Sequence, residues 1–230
     1  MTLIFDLDDT LIDTTCLIVP QAAKKSCEAL VGGGVQASLE QLLIRRKVLA
    51  VGLSHSKIFP QLASEFGFKP NTTIYKQKEV IQKAIDFFYN PEVPSPLPLI
   101  TGASQVLKHF SSHFPLYLVT AGIESAQVSK IEKASIKTFF KECFIISTVS
   151  EKSKTPAFQK ILELEKCSAG ECLSVGNRLS SEIADAKRLG MRTCHFRFGE
   201  HAAEVPQSPE EIPDYVIHDL RELLKICPIL

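Results

Sequence analysis

Four aspartates crowd eight residues near the N-terminus: Asp6, Asp8, Asp9 and Asp13, in the stretch LIFDLDDTLID. Carboxylates repel one another and resist burial, so such a cluster needs a cation, a proton or a chemical task. Asp6 and Asp8 stand two apart, and Thr10 follows two further on. In an extended chain these three positions share a face, although a turn here bends that register. Two carboxylates can divide labour, one as nucleophile and one as general acid and base. A cation would hold them together, and Mg2+ takes one or two carboxylates with waters and a substrate phosphate.

The elements that must position these groups are legible in the pattern. TLIF, ahead of Asp6, reads as a buried strand, and similar short apolar runs recur at PLYLVT (115–120), CFIIS (143–147), CLSVG (172–176), RTCHF (192–196) and YVI (215–217). Helical patterns fill the gaps at 102–113, 124–134, 156–166 and 180–189. Strands and helices in alternation imply βαβ units, hence an α/β fold on a Rossmann-like parallel sheet buried on both faces. Such sheets bind ligands at the carboxyl ends of their strands, where the aspartates stand.

The rhythm breaks between residues 14 and 98. That interval carries helical patterns such as SLEQLLIRRKVLA and TIYKQKEVIQKAIDFFY. It is too long for a crossover and too structured for a loop, so it reads as an inserted helical domain. The core is then residues 1–13 with 99–230. NPEVPSPLPLITG, with four prolines, suits the return linker, and VGGGV (31–35) a flexible turn. The insert holds ten Lys and Arg against six Asp and Glu, a mildly basic balance within a chain of zero net charge.

With these elements in place, FDLDDTL resembles the first motif of the haloacid dehalogenase superfamily, an apolar strand ending in Asp-x-Asp-x-Thr. Three further stretches match in order and spacing. LYLVTAG resembles the second motif, a strand ending in Thr or Ser. SEKSKTPAFQKIL offers the lysine of the third, and its Lys-x-Pro spacing favours Lys154 over Lys152. LSVGNRLSSEIADAKRLGM resembles the fourth, with Asn177 and Glu182 where the family carries acids. The insert falls where related enzymes place a helical cap that closes over the site and excludes water.

The resemblance implies a Mg2+-dependent phosphatase acting on a small phosphorylated metabolite. Asp6 would attack phosphorus and form an aspartyl-phosphate. Asp8 would protonate the leaving group and then deprotonate water, which calls for a shifted pKa. Mg2+ would sit among Asp6, the Asp8 carbonyl, Glu182 and Asn177, with Asp185 as a spare acid. Lys154, Thr120 and the N–H of Ala121 would bind the phosphoryl oxygens, and Thr10 would orient the loop. Asn177 brings no charge, so metal binding would survive in weakened form. A phosphomutase of the same superfamily, or a fold retained only for binding, are the alternatives. A dehalogenase fits less well, because Asp8 would be idle in one.

Composition narrows the classes. No long basic stripe suggests nucleic acid, and no apolar run reaches the ~18 residues that span a bilayer. Seven cysteines without a CxxC pair suit reduced thiols in a cytoplasmic protein. Cys167 and Cys172 lack a His pair, which argues against zinc. In the insert, His55 and Lys57 are candidate substrate contacts, Ser54 and Ser56 candidate helix caps, and Arg45 and Arg46 read as solvated. His109 and His113 are four apart but lack a third ligand. Asp9 reads as a solvated or capping acid, and Asp13 as the exit into the insert. The substrate and the oligomeric state are not legible.

Overall fold

The computed structural model describes residues 1–147 and 153–228. Lys152 lies outside them. The chain divides into two compact units, Met1–Thr14 with Val93–Leu230, and Thr15–Glu92.

The first unit is built on a parallel sheet. Its strands are β1 (Thr2–Phe5), β2 (Leu116–Ala121), β3 (Glu142–Ile146), β4 (Cys172–Gly176), β5 (Arg192–Phe196) and β6 (Tyr215–Ile217). Among the described residues they run in the order β3-β2-β1-β4-β5-β6. The chain builds outward from β1 to one side through β2 and β3, then returns to build the other side from β4. Strand order therefore reverses at β1, and the crevice at its carboxyl end is the switch point where such sheets keep ligands. β1 and β4 are buried throughout, which accounts for their unbroken apolar runs. One face packs Ile4, Val119, Phe158, Ile161 and Met191 into a single cluster.

Helices α6 (Ala103–Ser111), α7 (Glu124–Lys133), α8 (Thr155–Glu165), α9 (Ala184–Arg188) and α10 (Leu223–Ile226) belong to this unit. The stretch 180–189, expected as one helix, divides into a π-helical turn at Leu179–Ile183 and the short α9. Leu179, Glu182 and Ile183 are buried in the π-helical turn.

The second unit contains α2 (Val19–Gly32), α3 (Leu39–Leu49), α4 (His55–Phe66) and α5 (Ile74–Tyr89), entered through the short α1 (Thr14–Leu17). Its own core gathers Leu30, Leu42, Ile58, Phe59, Leu62, Val80 and Ala84. Ser38 and Gln41 close a capping box on α3, and Thr73 caps α5. VGGGV is the packed end of α2, with Val35 buried and its N–H donating to Leu30 O, so it is not a free turn.

The return segment belongs to the first unit from Val93 onward, not from residue 99. Lys133 explains this: its Nζ donates to Val93 O at 2.7 Å, and its carbonyl accepts from Leu97 N at 3.1 Å. Arg46, expected in solvent, is buried, and its Nη1 meets His55 Nε2 at 2.7 Å. His55 in turn stacks on Phe88 with ring centroids 3.6 Å apart. Lys57 is exposed, and Ser54 occupies the start of α4 without a side-chain cap. Among the described residues, no helix is long and apolar enough to cross a membrane.

Candidate active site

Asp6 stands one residue beyond β1. Its N–H donates to Val175 O at 2.9 Å, so the β1–β4 ladder carries on to it and fixes it at the switch point. The following loop is tight: Leu7 O accepts from the N–H groups of Thr10, Leu11 and Ile12. Asp9 takes a left-handed φ of 51° in that turn and is buried against Gly199, not solvated.

Lys154 Nζ bridges two buried carboxylates. It lies 2.5 Å from Asp6 Oδ1 and also donates to Glu182 Oε1. The other oxygen of Glu182 accepts from Arg178 N at 3.1 Å. Gly176 makes room for this arrangement, because a Cβ there would stand 2.4 Å from Glu182 Cγ. Asp185 is occupied elsewhere. It accepts from Lys154 N at 2.6 Å and Ser153 Oγ at 2.9 Å, and pairs with Arg188, so it anchors the lysine's backbone.

Asp8 belongs to a second cluster beside the first. Its Oδ1 accepts from Thr14 Oγ1 at 2.6 Å and Lys130 Nζ at 2.7 Å. Its Oδ2 accepts from Gln127 Nε2 at 2.9 Å. The same Gln127 nitrogen lies 2.5 Å from Thr120 Oγ1, which joins the end of β2 to Asp8. Gly122 N donates to Ile146 O. Strand alternation then turns the N–H of Ala121, one residue back, toward the β1 side.

The charges follow from this geometry. Burial pushes Asp6 up to about 7; Lys154 opposes the rise, while Glu182 and Asp8 add to it. Burial would raise Glu182 as well, but the Lys154 ammonium outweighs it and holds that carboxyl low. Lys154, although buried, is held protonated above its ordinary range by its two carboxylates. Burial also acts on Asp8, yet Lys130 and the bonds from Thr14 and Gln127 overcome it and leave a depressed carboxylate. That shift runs opposite to the one expected of a resting proton donor.

Two sequence candidates stand apart from these contacts. The Thr10 hydroxyl is buried with no hydrogen-bond partner among the described residues. The Asn177 side chain turns its Nδ2 toward Phe198 O at 3.4 Å, while the Asn177 backbone carbonyl meets His195 Nε2 at 3.1 Å. Burial pushes His195 down and keeps it neutral. Sequence reading missed Thr14, Gln127 and Lys130. A signal existed: Gln127 and Lys130 fall on the face of α7 that also carries the buried Ala126 and Ile131, where apolar residues belong.

The donor set suits a hard cation. Asp6 and Glu182 share one positive charge, and the oxygens around them are those of carboxylates, hydroxyls, carbonyls and amides. With Asp6 ionised, Asp6, Asp8 and Glu182 against Lys130 and Lys154 leave this group one negative charge in excess. Among the described residues, no three His, Cys, Asp or Glu side chains converge on one point, which leaves any Mg2+ here to complete its shell with water and ligand.

A parallel sheet with paired carboxylates and lysines at its switch point defines a class of hydrolytic enzymes. The chain belongs to the haloacid dehalogenase-like hydrolases, whose family pattern it matches over residues 3–196. It is 26% identical to a glyceraldehyde 3-phosphate phosphatase of Methanopyrus kandleri over 228 residues, covering 97% of this chain and 95% of that one. It is 30% identical to a glyceraldehyde 3-phosphate phosphatase of Pyrococcus abyssi over 200 residues, covering 85% and 81%. The crystal structure of the HAD-hydrolase YfnB of Bacillus subtilis bound to magnesium superposes with a TM-score of 0.70 at 23% identity, covering 99% and 98%. That last likeness speaks for the fold.

Proposed function

We propose that this protein is a Mg2+-dependent phosphatase that hydrolyses a small phosphate monoester through an aspartyl-phosphate on Asp6, with residues 15–92 as its cap domain. The observation that carries this reading is the buried Asp6–Lys154–Glu182 group beside Asp8 at the switch point. The relatives named glyceraldehyde 3-phosphate phosphatase support a short-chain sugar phosphate as the first substrate to try.

In the first step an Asp6 oxygen bonds to phosphorus as the bond from phosphorus to the leaving oxygen breaks. Asp8 gives its proton to the departing alkoxide. In the second step Asp8 takes a proton from water, the water oxygen bonds to phosphorus, and Asp6 leaves as a carboxylate. The Asp8 carboxyl, held below its ordinary range by Lys130, Thr14 and Gln127, suits the second step; for the first it must take up a proton from solvent or from the incoming phosphate monoester before the alkoxide leaves. Lys154, the Thr120 hydroxyl and the Ala121 N–H would meet charge on the phosphoryl oxygens. Asp6, Glu182, the Asp8 carbonyl and Asn177 would hold Mg2+, which offsets the repulsion between the nucleophile and a phosphate dianion.

The test is phosphate release from a panel of monoesters that includes glyceraldehyde 3-phosphate, with Mg2+ and with EDTA, for the wild type and for Asp6→Asn. The expected result is Mg2+-dependent release that falls on the order of a thousandfold or more in the variant. No release from the wild type across the panel would sink the reading. Isomerised ester without free phosphate would make the protein a mutase.

A further inference from the structure

We infer that Gln127 is a positioning residue that sets the Thr120 hydroxyl and the Asp8 carboxylate as one unit toward the phosphoryl group; this rests on the phosphatase reading above. Gln127 is buried on α7, 1% exposed, and three oxygens surround its side-chain nitrogen. Thr120 Oγ1 lies at 2.5 Å, Asp8 Oδ2 at 2.9 Å and Ala121 O at 3.2 Å. A carboxylate and a carbonyl only accept, so the amide must turn its nitrogen to them and its own oxygen away. Its orientation is thus fixed by the site.

The nitrogen has two hydrogens for three acceptors. The two shorter contacts take them, and these are Thr120 and Asp8. Thr120 Oγ1 then accepts from Gln127, and its own hydrogen must point elsewhere. Thr120 is 1% exposed, so that hydrogen faces protein or a bound ligand and not bulk water. A buried hydroxyl whose oxygen is pinned in this way can turn its hydrogen to a bound anion. Asp8 is held by the same amide, with Lys130 and Thr14 on its other oxygen. A single side chain therefore sets the separation between a phosphate-binding donor and the acid–base carboxylate.

The experiment measures kcat, KM and inhibition by inorganic phosphate, with p-nitrophenyl phosphate as substrate and Mg2+ present. The proteins are wild type, Asp6→Asn, Gln127→Leu, Gln127→Glu, Thr120→Val and the double variant Gln127→Leu/Thr120→Val. Gln127→Leu should lower kcat about ten- to a hundredfold and weaken phosphate inhibition, since the Thr120 hydroxyl loses its orientation. Added to Thr120→Val, the same change should lower kcat by no more than about threefold, because the two residues act as a unit. Gln127→Glu keeps the shape and should be impaired as well, since it sets a second carboxylate against Asp8. Effects that multiply in the double variant, or a fall in melting temperature with kcat and phosphate inhibition unchanged, would overturn the inference alone. An inactive wild type, or an Asp6→Asn protein as active as wild type, would instead overturn the phosphatase reading and this inference with it.

Discussion

Lys154 is one ammonium between two buried carboxylates, and its removal leaves those charges facing each other without a counter-ion. A buried charge stripped of its partner costs about 3–5 kcal/mol. Lys154→Met should therefore lose both activity and stability of that order, read by urea denaturation; a loss under about 1 kcal/mol would contradict the arrangement. Asp6→Asn should behave differently, because Lys154 still pairs with Glu182. Asp6 is raised from 3.8 to about 7 in the folded chain. Between those values the unfolded chain sheds a proton that the folded chain keeps, so stability falls as pH rises through that window. In EDTA-treated protein, the wild type should lose stability relative to Asp6→Asn between pH 4 and pH 7. A difference between the two that does not change with pH would refute this.

The elements explain why those residues meet. β1 ends at the reversal of strand order; the loop after β1, the end of β2 and the π-helical turn after β4 bring Asp8, Thr120 and Glu182 to the carboxyl edge of the sheet. The π-helical turn after β4 then folds Glu182 back onto Gly176. Gly176→Ala would push a methyl into the Glu182 stem and displace its carboxylate from Lys154. Overpacking of this kind costs about 1–3 kcal/mol, and phosphate release should fall with it. Unchanged activity and melting temperature in Gly176→Ala would show that the turn gives way freely. The same turn was hidden in the sequence, where SEIADAKR reads as plain helix; the helical pattern reports which face is buried, not how many residues close each turn.

At the scale of the molecule, a ligand that binds only the folded chain raises its melting temperature. Mg2+ at a hundred times its dissociation constant should add about 2.7 kcal/mol of stability, and Glu182→Ala should abolish that gain. A Mg2+ effect that survives in Glu182→Ala would place the metal elsewhere. The two units have separate cores, and the boundary at Val93 is drawn by the hydrogen bonds of Lys133. No proline count could locate that boundary, because Lys133 is 40 residues away in the chain.

The α/β class and the order of the strands along the chain were determined by sequence alone; Asp6 and Asp8 stood out there by type and spacing, and Thr120, Lys154 and Glu182 became candidates through the resemblance of their motifs. The class and strand order rest on local facts, apolar period and turn residues. Tertiary structure decided the rest. It placed Lys154 between Asp6 and Glu182, gave Asp185 to the lysine's backbone and turned the Asn177 amide toward Phe198. It also brought Gln127 and Lys130 to Asp8 across 119 and 122 residues of chain. Local patterns carry no record of such distant pairings. The charge state of a buried carboxylate depends on the neighbours that folding supplies, and so Asp6 is raised while Asp8, two residues on, is lowered.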